Sequence, residues 1–252
     1  MQSSWKLAFY EVDIVEIVQS NVNAMKIVNS NDEAKSYTIK RYESNSNTKV
    51  YVPMDTDLLD HWPNSRSITN NNSVSLASLW NVKFKVWKFS WAVRYLTFTN
   101  IDNMSWAWTI SAWANTSTWI NQMFFSQWTN QNNRLLHVWY SSSWRWLVFA
   151  MYNNDADTES TQRIDWNRHL YTFTWNWSTW YNIYVDWVSV KSWTLSSWFQ
   201  SWNNTWHIWI QANLSTPVEF QWYMSEFFIE TWAWSASQVS EFYNKTKKNY
   251  WK

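Results

Sequence analysis

No glycine occurs in this chain of 252 residues, while tryptophan occurs 27 times. Glycine is ordinarily about 7% of a globular chain, so about eighteen are expected. Tight turns need backbone at positive φ, which glycine adopts freely and which costs another L-residue roughly 1–2 kcal/mol. A whole domain is stable by only about 5–15 kcal/mol, so ten such positions would exhaust its margin. The tryptophans stand where glycines belong. In Asn182 to Val190 two strand-like runs flank Asp186-Trp187, where a two-residue hairpin wants Asp-Gly. Trp175 to Trp180, Ser143 to Trp146 and Trp202 to Trp206 repeat the pattern of Asn, Ser and Thr around a missing glycine. Most Trp letters are therefore read as standing for glycine, as happens when a UGA codon decoded as glycine is translated as tryptophan. Trp113 is the exception. It lies inside the alternating run Thr109 to Ala114, where a large aromatic packs well and glycine weakens a strand.

Charge bears on two classes of partner. With 20 basic and 19 acidic residues the field is balanced, which disfavours nucleic acid and anionic membrane surfaces. No cysteine is present, so neither a disulfide framework nor a thiolate metal site is expected. The first ten residues lack the basic start and apolar core of a signal peptide, and no run approaches the roughly 20 apolar residues of a membrane span.

Short alternating runs bounded by turn residues fill most of the chain, for example Val93 to Phe98, Leu147 to Tyr152, Leu170 to Phe173 and Phe220 to Ile229. They predict an all-β sandwich or barrel, with a kink at position 222. Helix is scarce. Ser235 to Tyr243 is the best candidate, with Ser235 as cap and Gln238 completing a capping box. Residues 1–47 read as a β-rich extension or the remnant of a preceding domain, with strand-like runs at Phe9 to Val18, Asn21 to Ile27 and Tyr37 to Tyr42. The polar stretch Glu43 to Thr48 then suggests a linker, and 48–252 form the main domain.

With Trp read as glycine, residues from about 50 to 250 resemble the concanavalin A-like lectin/glucanase superfamily in its laminin G-like jelly-roll branch. The resemblance rests on Tyr51 to Asn64, on Lys83 to Tyr95, and on Thr109 to Trp113. It continues through Asn167 to Phe173, Tyr184 to Trp187, Phe220 to Glu226 and the closing turn Ser235 to Tyr243. It implies two antiparallel sheets packed face to face in a jelly roll. Members of the superfamily bind carbohydrate or protein partners, serve as spacers, or hydrolyse glycans, and fold alone does not choose among these.

One catalytic candidate lies outside that match. Glu11, Asp13 and Glu16 resemble the Glu-x-Asp-x-x-Glu motif of endoglucanases in the same superfamily, in which the first Glu is nucleophile and the last acid/base. Retaining chemistry needs two carboxyls about 5–5.5 Å apart. Strict alternation puts Glu11 and Asp13 on one face and Glu16 on the other, so a bulge near Ile14-Val15 is required. Only ten residues precede the motif, where such an enzyme has about half its domain. Asp155 and Asp157 could offer oxygen ligands to calcium, but their loop lacks the glycine and closing Glu of an EF-hand. His61, His137, His169 and His207 show no mutual metal-ligand spacing.

The sequence thus leads to a non-catalytic recognition or adhesion module of a surface, secreted or virion protein. No cofactor is expected, apart from a possible calcium ion. The expected partner is a glycan or other cell-surface ligand, and the chain is expected to belong to a larger polypeptide or assembly. A ligand-free spacer is the second reading, and a fragment of a retaining endo-glucanase using Glu11 and Glu16 the third.

Overall fold

The computed structural model describes residues 24–28, 34–38, 42–53, 68–71, 75–78, 85–88, 95–98, 107–115, 122–127, 136–141, 146–151, 154–157, 167–176, 180–194, 206–208 and 223–250. The chain divides into two compact units, Met1–Arg41 and Tyr42–Lys252. In the first, β1 (Ala24–Val28) and β2 (Ala34–Thr38) form an antiparallel pair. The run Phe9 to Val18, and with it Glu11, Asp13 and Glu16, lies outside the described residues. Residues 42–47, which the composition assigned to the extension, belong to the second unit. The physical reason is Tyr42, whose ring stacks on Phe228 at 4.0 Å and whose backbone N–H donates to the Glu226 carboxylate.

The second unit is built of strands. In chain order they are β3 (Thr48–Val52), β4 (Thr69–Asn71), β5 (Ser75–Ser78), β6 (Lys85–Lys88), β7 (Tyr95–Phe98), β8 (Trp108–Asn115), β9 (Gln122–Gln127) and β10 (Leu136–Ser141). There follow β11 (Trp146–Met151), β12 (Asn154–Asp157), β13 (Arg168–Trp175), β14 (Trp180–Val185), β15 (Val188–Thr194), β16 (Trp206–Ile208) and β17 (Tyr223–Glu230), then helix α1 (Ala236–Thr246). One sheet has seven strands in the order β12-β11-β10-β9-β16-β7-β4. The other has eight, in the order β15-β14-β13-β8-β17-β6-β5, with β3 also paired to β17. Every pairing is antiparallel, so the fold is an all-β sandwich of two antiparallel sheets.

Side-chain alternation explains why both faces of the eight-stranded sheet are covered. Ile110, Ala112 and Ala114 of β8, Tyr171 and Phe173 of β13, and Ile183 and Val185 of β14 enter the core between the sheets, where they meet Phe125, Val138 and Phe149. Their odd-man neighbours Trp113, Leu170 and Tyr184 point the other way, into a second apolar cluster with Val239, Phe242 and Tyr243 of α1. The centre of this sheet is therefore buried on both faces, and β13 is buried at every position. Helix α1 is the lid on the outer face. Its N-terminus carries the reciprocal Ser235 and Gln238 capping box, which satisfies the backbone N–H groups of both residues.

A single irregularity lets β17 serve both cores. Ser225 pairs with Trp113 and Phe228 with Ser111, three steps on β17 against two on β8. That extra residue is a β-bulge. It inverts the alternation: Met224 faces the inner core, and beyond the bulge Phe227 and Ile229 face it too. Glu226 sits in the bulge at φ 52. Position 222, where the kink was expected, lies outside the described residues.

In the seven-stranded sheet, β16 carries His207, buried with its Nδ1 3.3 Å from the Thr97 hydroxyl and its ring edge-on to Tyr95. Burial lowers its pKa from 6.5 to about 4. Because the unfolded chain then takes up the proton first, stability is full above pH 6.5 and falls as pH drops through about 4. Allowing for partial solvent screening, the loss is expected to be about 1–2 kcal/mol. Urea midpoints measured from pH 7 to pH 4 should fall less steeply in His207→Gln than in the parent chain; equal slopes would refute the assignment.

Candidate functional site

The outer-face cluster is held by buried carboxylates, and their partners fix the walls of a cavity beside it. Glu226 accepts from the Tyr42 backbone N–H at 3.1 Å and from the Tyr51 hydroxyl at 3.0 Å through Oε2, while its own N–H donates to the Pro53 carbonyl at 3.0 Å. Four residues on, Glu230 accepts from the Tyr42 hydroxyl and from the Asn45 carboxamide at 2.7 Å through Oε1, and from the Trp234 indole through Oε2. Both carboxylates are buried. A buried charge is tolerated only when donors surround it, and these two have five between them. Burial, reinforced by the negative charge of Glu230, holds the Tyr42 phenol far above its ordinary pKa, so it stays a donor. The Tyr42 hydroxyl also lies 2.6 Å from that of Thr48.

The segment that closes this network is equally fixed. Asn45 accepts from the Asn47 N–H at 2.8 Å, and the Asn47 carbonyl accepts from the Thr231 N–H at 2.8 Å. Thr109 donates to the Trp232 carbonyl at 2.7 Å and accepts from the Trp234 N–H at 2.9 Å. Between segment 42–47, segment 230–234 and helix α1 lies a solvent-open cavity of about 290 Å³. Tyr42, Trp232, Trp234 and Phe242 form its apolar part. Asn45, Asn47, Gln238, Glu241, and the Glu43–Lys245 ion pair at 2.7 Å form its polar rim. Gln238, Glu241, Phe242 and Lys245 fall on one face of α1 because they are three, four and seven positions apart.

At the opposite side of α1, Trp113 stacks on Tyr250 at 4.5 Å and donates its indole N–H to Thr246 at 3.0 Å. Arg168 lies over the Tyr250 ring and donates to Ser225 at 3.4 Å; desolvation lowers its pKa to about 10, so it remains a cation at neutral pH.

Asp186 and Trp187 form the two-residue turn between β14 and β15, with Val185 opposite Val188. Asp186 takes φ 60, its N–H donates to the Leu170 carbonyl at 2.7 Å, and its carboxylate accepts from the Leu170 N–H at 3.2 Å and lies 3.1 Å from His169 Nδ1. The turn is thus tied to β13 and has no share in the cavity. Asp155 and Asp157 lie in β12, a strand and not a loop, opposite Ala150 and Val148. Among the described residues no group of three or more His, Cys, Asp or Glu is placed to hold a metal ion, and no helix is long and apolar enough to cross a membrane. Sequence reasoning singled out Gln238, as a cap, but missed Tyr42, Glu226 and Glu230. Their partners are up to 188 residues away, and the sole local sign was acidic residues inside an apolar strand.

No family model matches the chain, and no curated protein matches it as a relative. Solved structures do. A botulinum neurotoxin DC binding domain in complex with rat synaptotagmin II superposes with a TM-score of 0.64 at 15% identity, over 81% of this chain and 52% of that one. The same type of domain in complex with SialylT gives 0.63 at 14% identity, over 81% and 52%. A structure of botulinum neurotoxin type C, a toxin whose cell entry is described as dependent upon interaction with two ganglioside molecules, gives 0.61 at 13% identity, over 79% and 51%. The chain spans about half the length of the solved structures it matches. At this identity the likeness is one of fold, a β-sandwich shared with these binding domains.

The carboxylate network is open to a direct test. Tyr42→Phe removes one donor and Glu230→Gln removes the charge that the donors serve, and each is expected to cost about 1–3 kcal/mol. Because the two residues share a hydrogen bond, denaturant titration of the double variant should show a loss smaller than the sum. Additive losses would mean that the bond is not made in solution.

Proposed function

We propose that this chain is a non-catalytic recognition module of the laminin G-like type, carried on a surface, secreted or virion protein, and that its ligand is carbohydrate. The observation that carries the reading is the cavity beside α1. It is open to solvent, polar at its rim, and walled by backbone and side chains already fixed through buried hydrogen bonds. Such preorganisation lowers the entropy that binding must overcome. The shared fold supports it, since the similar solved domains are binding domains, in complex with SialylT in one case and with synaptotagmin II in another. A glycan array probed with the folded chain is expected to show selective binding; a folded chain that binds no glycan would leave the spacer reading in its place.

The same proposal includes the decoding of tryptophan as glycine. Its support, beyond the missing glycines, is that the indole N–H groups of Trp139, Trp175 and Trp206 are buried with no hydrogen-bond partner among the described residues. A buried donor left unpaired costs about 1–3 kcal/mol, and genuine buried tryptophans find one. Trp113 and Trp234 do find one, in Thr246 and Glu230. On this reading tryptophan is the encoded residue at 234 as well as at 113, the position that the sequence pattern already keeps. Peptide mass spectrometry of protein from its natural source should find glycine at 139, 175 and 206 and tryptophan at 113 and 234. Tryptophan at all five would end the decoding proposal.

A further inference from the structure

We infer that the cavity beside α1 receives a single uncharged pyranose ring and rejects acidic sugars, an inference that rests on the glycan-binding reading above and gives it a place and a specificity. Size sets the first limit. At about 290 Å³ the cavity is at the bottom of the roughly 300–1,000 Å³ range of small-molecule sites, room for one ring and not for a chain.

Hydrogen bonding sets the second. Three rim groups have no internal partner among the described residues: the Asn47 carboxamide, the Gln238 Nε2 amide and the Glu241 carboxylate. Gln238 Oε1 is already committed to Ser235, which turns its remaining capacity into donation. The open set therefore holds donors from two carboxamides and acceptors from Asn47 and Glu241, the mixture that vicinal hydroxyls satisfy because each hydroxyl both donates and accepts. The apolar floor of Trp234 and Phe242 suits the C–H face of a sugar ring.

Charge sets the third limit. Three carboxylates line the cavity, Glu43, Glu230 and Glu241, against the lone ammonium of Lys245, which is engaged with Glu43. A sialic or uronic acid would bring a further negative charge to a wall that already carries an excess, with no lining cation left to receive it. Apart from Trp234, the residues invoked are unaffected by how the tryptophan letters are decoded.

The test uses methyl pyranosides of glucose, galactose, mannose and N-acetylglucosamine, with sialyllactose and glucuronic acid as acidic counterparts, titrated against the whole chain by isothermal calorimetry or ligand-observed NMR. At least one neutral pyranoside is expected to bind with a dissociation constant on the order of 1 mM, as a one-ring ligand allows, and at least tenfold more tightly than either acidic sugar. Asn47→Ala with Glu241→Ala, both on the exposed rim, should weaken binding at least tenfold while the thermal midpoint stays within about 2 °C. Binding that survives this double variant, or that favours the acidic sugars, overturns the inference and leaves the glycan-binding reading standing. A folded chain that binds nothing on the glycan array overturns both.

Discussion

The bulge at Glu226 is the constraint on which the sandwich and its cap both depend. A strand that alternates strictly presents one face to one core, but β17 must pair with β6 through Tyr223 and Met224, then with β3 through Phe227 to Glu230, and with β8 along both stretches. One inserted residue resets the alternation, so Phe227 and Ile229 enter the inner core while Phe228 enters the outer one. The cost is a glutamate at φ 52, a conformation that disfavours any side chain by roughly 1–2 kcal/mol. Its hydrogen bonds to Tyr42, Tyr51 and Pro53 offset that cost and simultaneously fasten segment 42–53 across the sheet.

From that fastening the cavity follows. With Tyr42 stacked on Phe228, its hydroxyl meets Thr48 and Glu230, and Glu230 also collects Asn45 and Trp234. The loop after β17 and the loop before β3 are so drawn to the same edge, and α1, anchored by Val239, Phe242 and Tyr243, closes the third side. The opening that remains is lined by helix residues whose spacing is set by the anchors: Phe242 must point inward, which places Gln238 and Glu241 on the rim.

What could be read from the sequence divides along a physical line. Local signals were legible. The alternating runs gave most strands, the Asp186-Trp187 pair stands between β14 and β15, and Ser235 with Gln238 capped the single α-helix among the described residues. Each of these is decided by residues within a few positions of one another. The site was not legible, because its defining contacts span 175 to 188 residues. The bulge also escaped, since a positive φ is usually announced by glycine, asparagine or aspartate and here it falls on a glutamate held by tertiary bonds. The stretch Glu43 to Thr48 reads as linker for the same reason: its polar letters are those of a solvated connection, and it is the buried Glu230, which accepts from Asn45, that makes it structural.

The tryptophan question bears on the core differently from the site. Trp108, Trp175 and Trp206 fill the space between the sheets, so replacing them with glycine would remove three of the largest buried side chains and require the sheets to close up or other residues to repack. The cap has no such dependence. Tyr42, Tyr51, Glu226, Phe228, Glu230, Val239 and Phe242 are encoded without ambiguity, and the two indoles that join them are the ones whose N–H groups are satisfied. The region where the sequence is least in question is the bulge, the clasp around Tyr42 and the rim of α1, the last two of which bound the cavity.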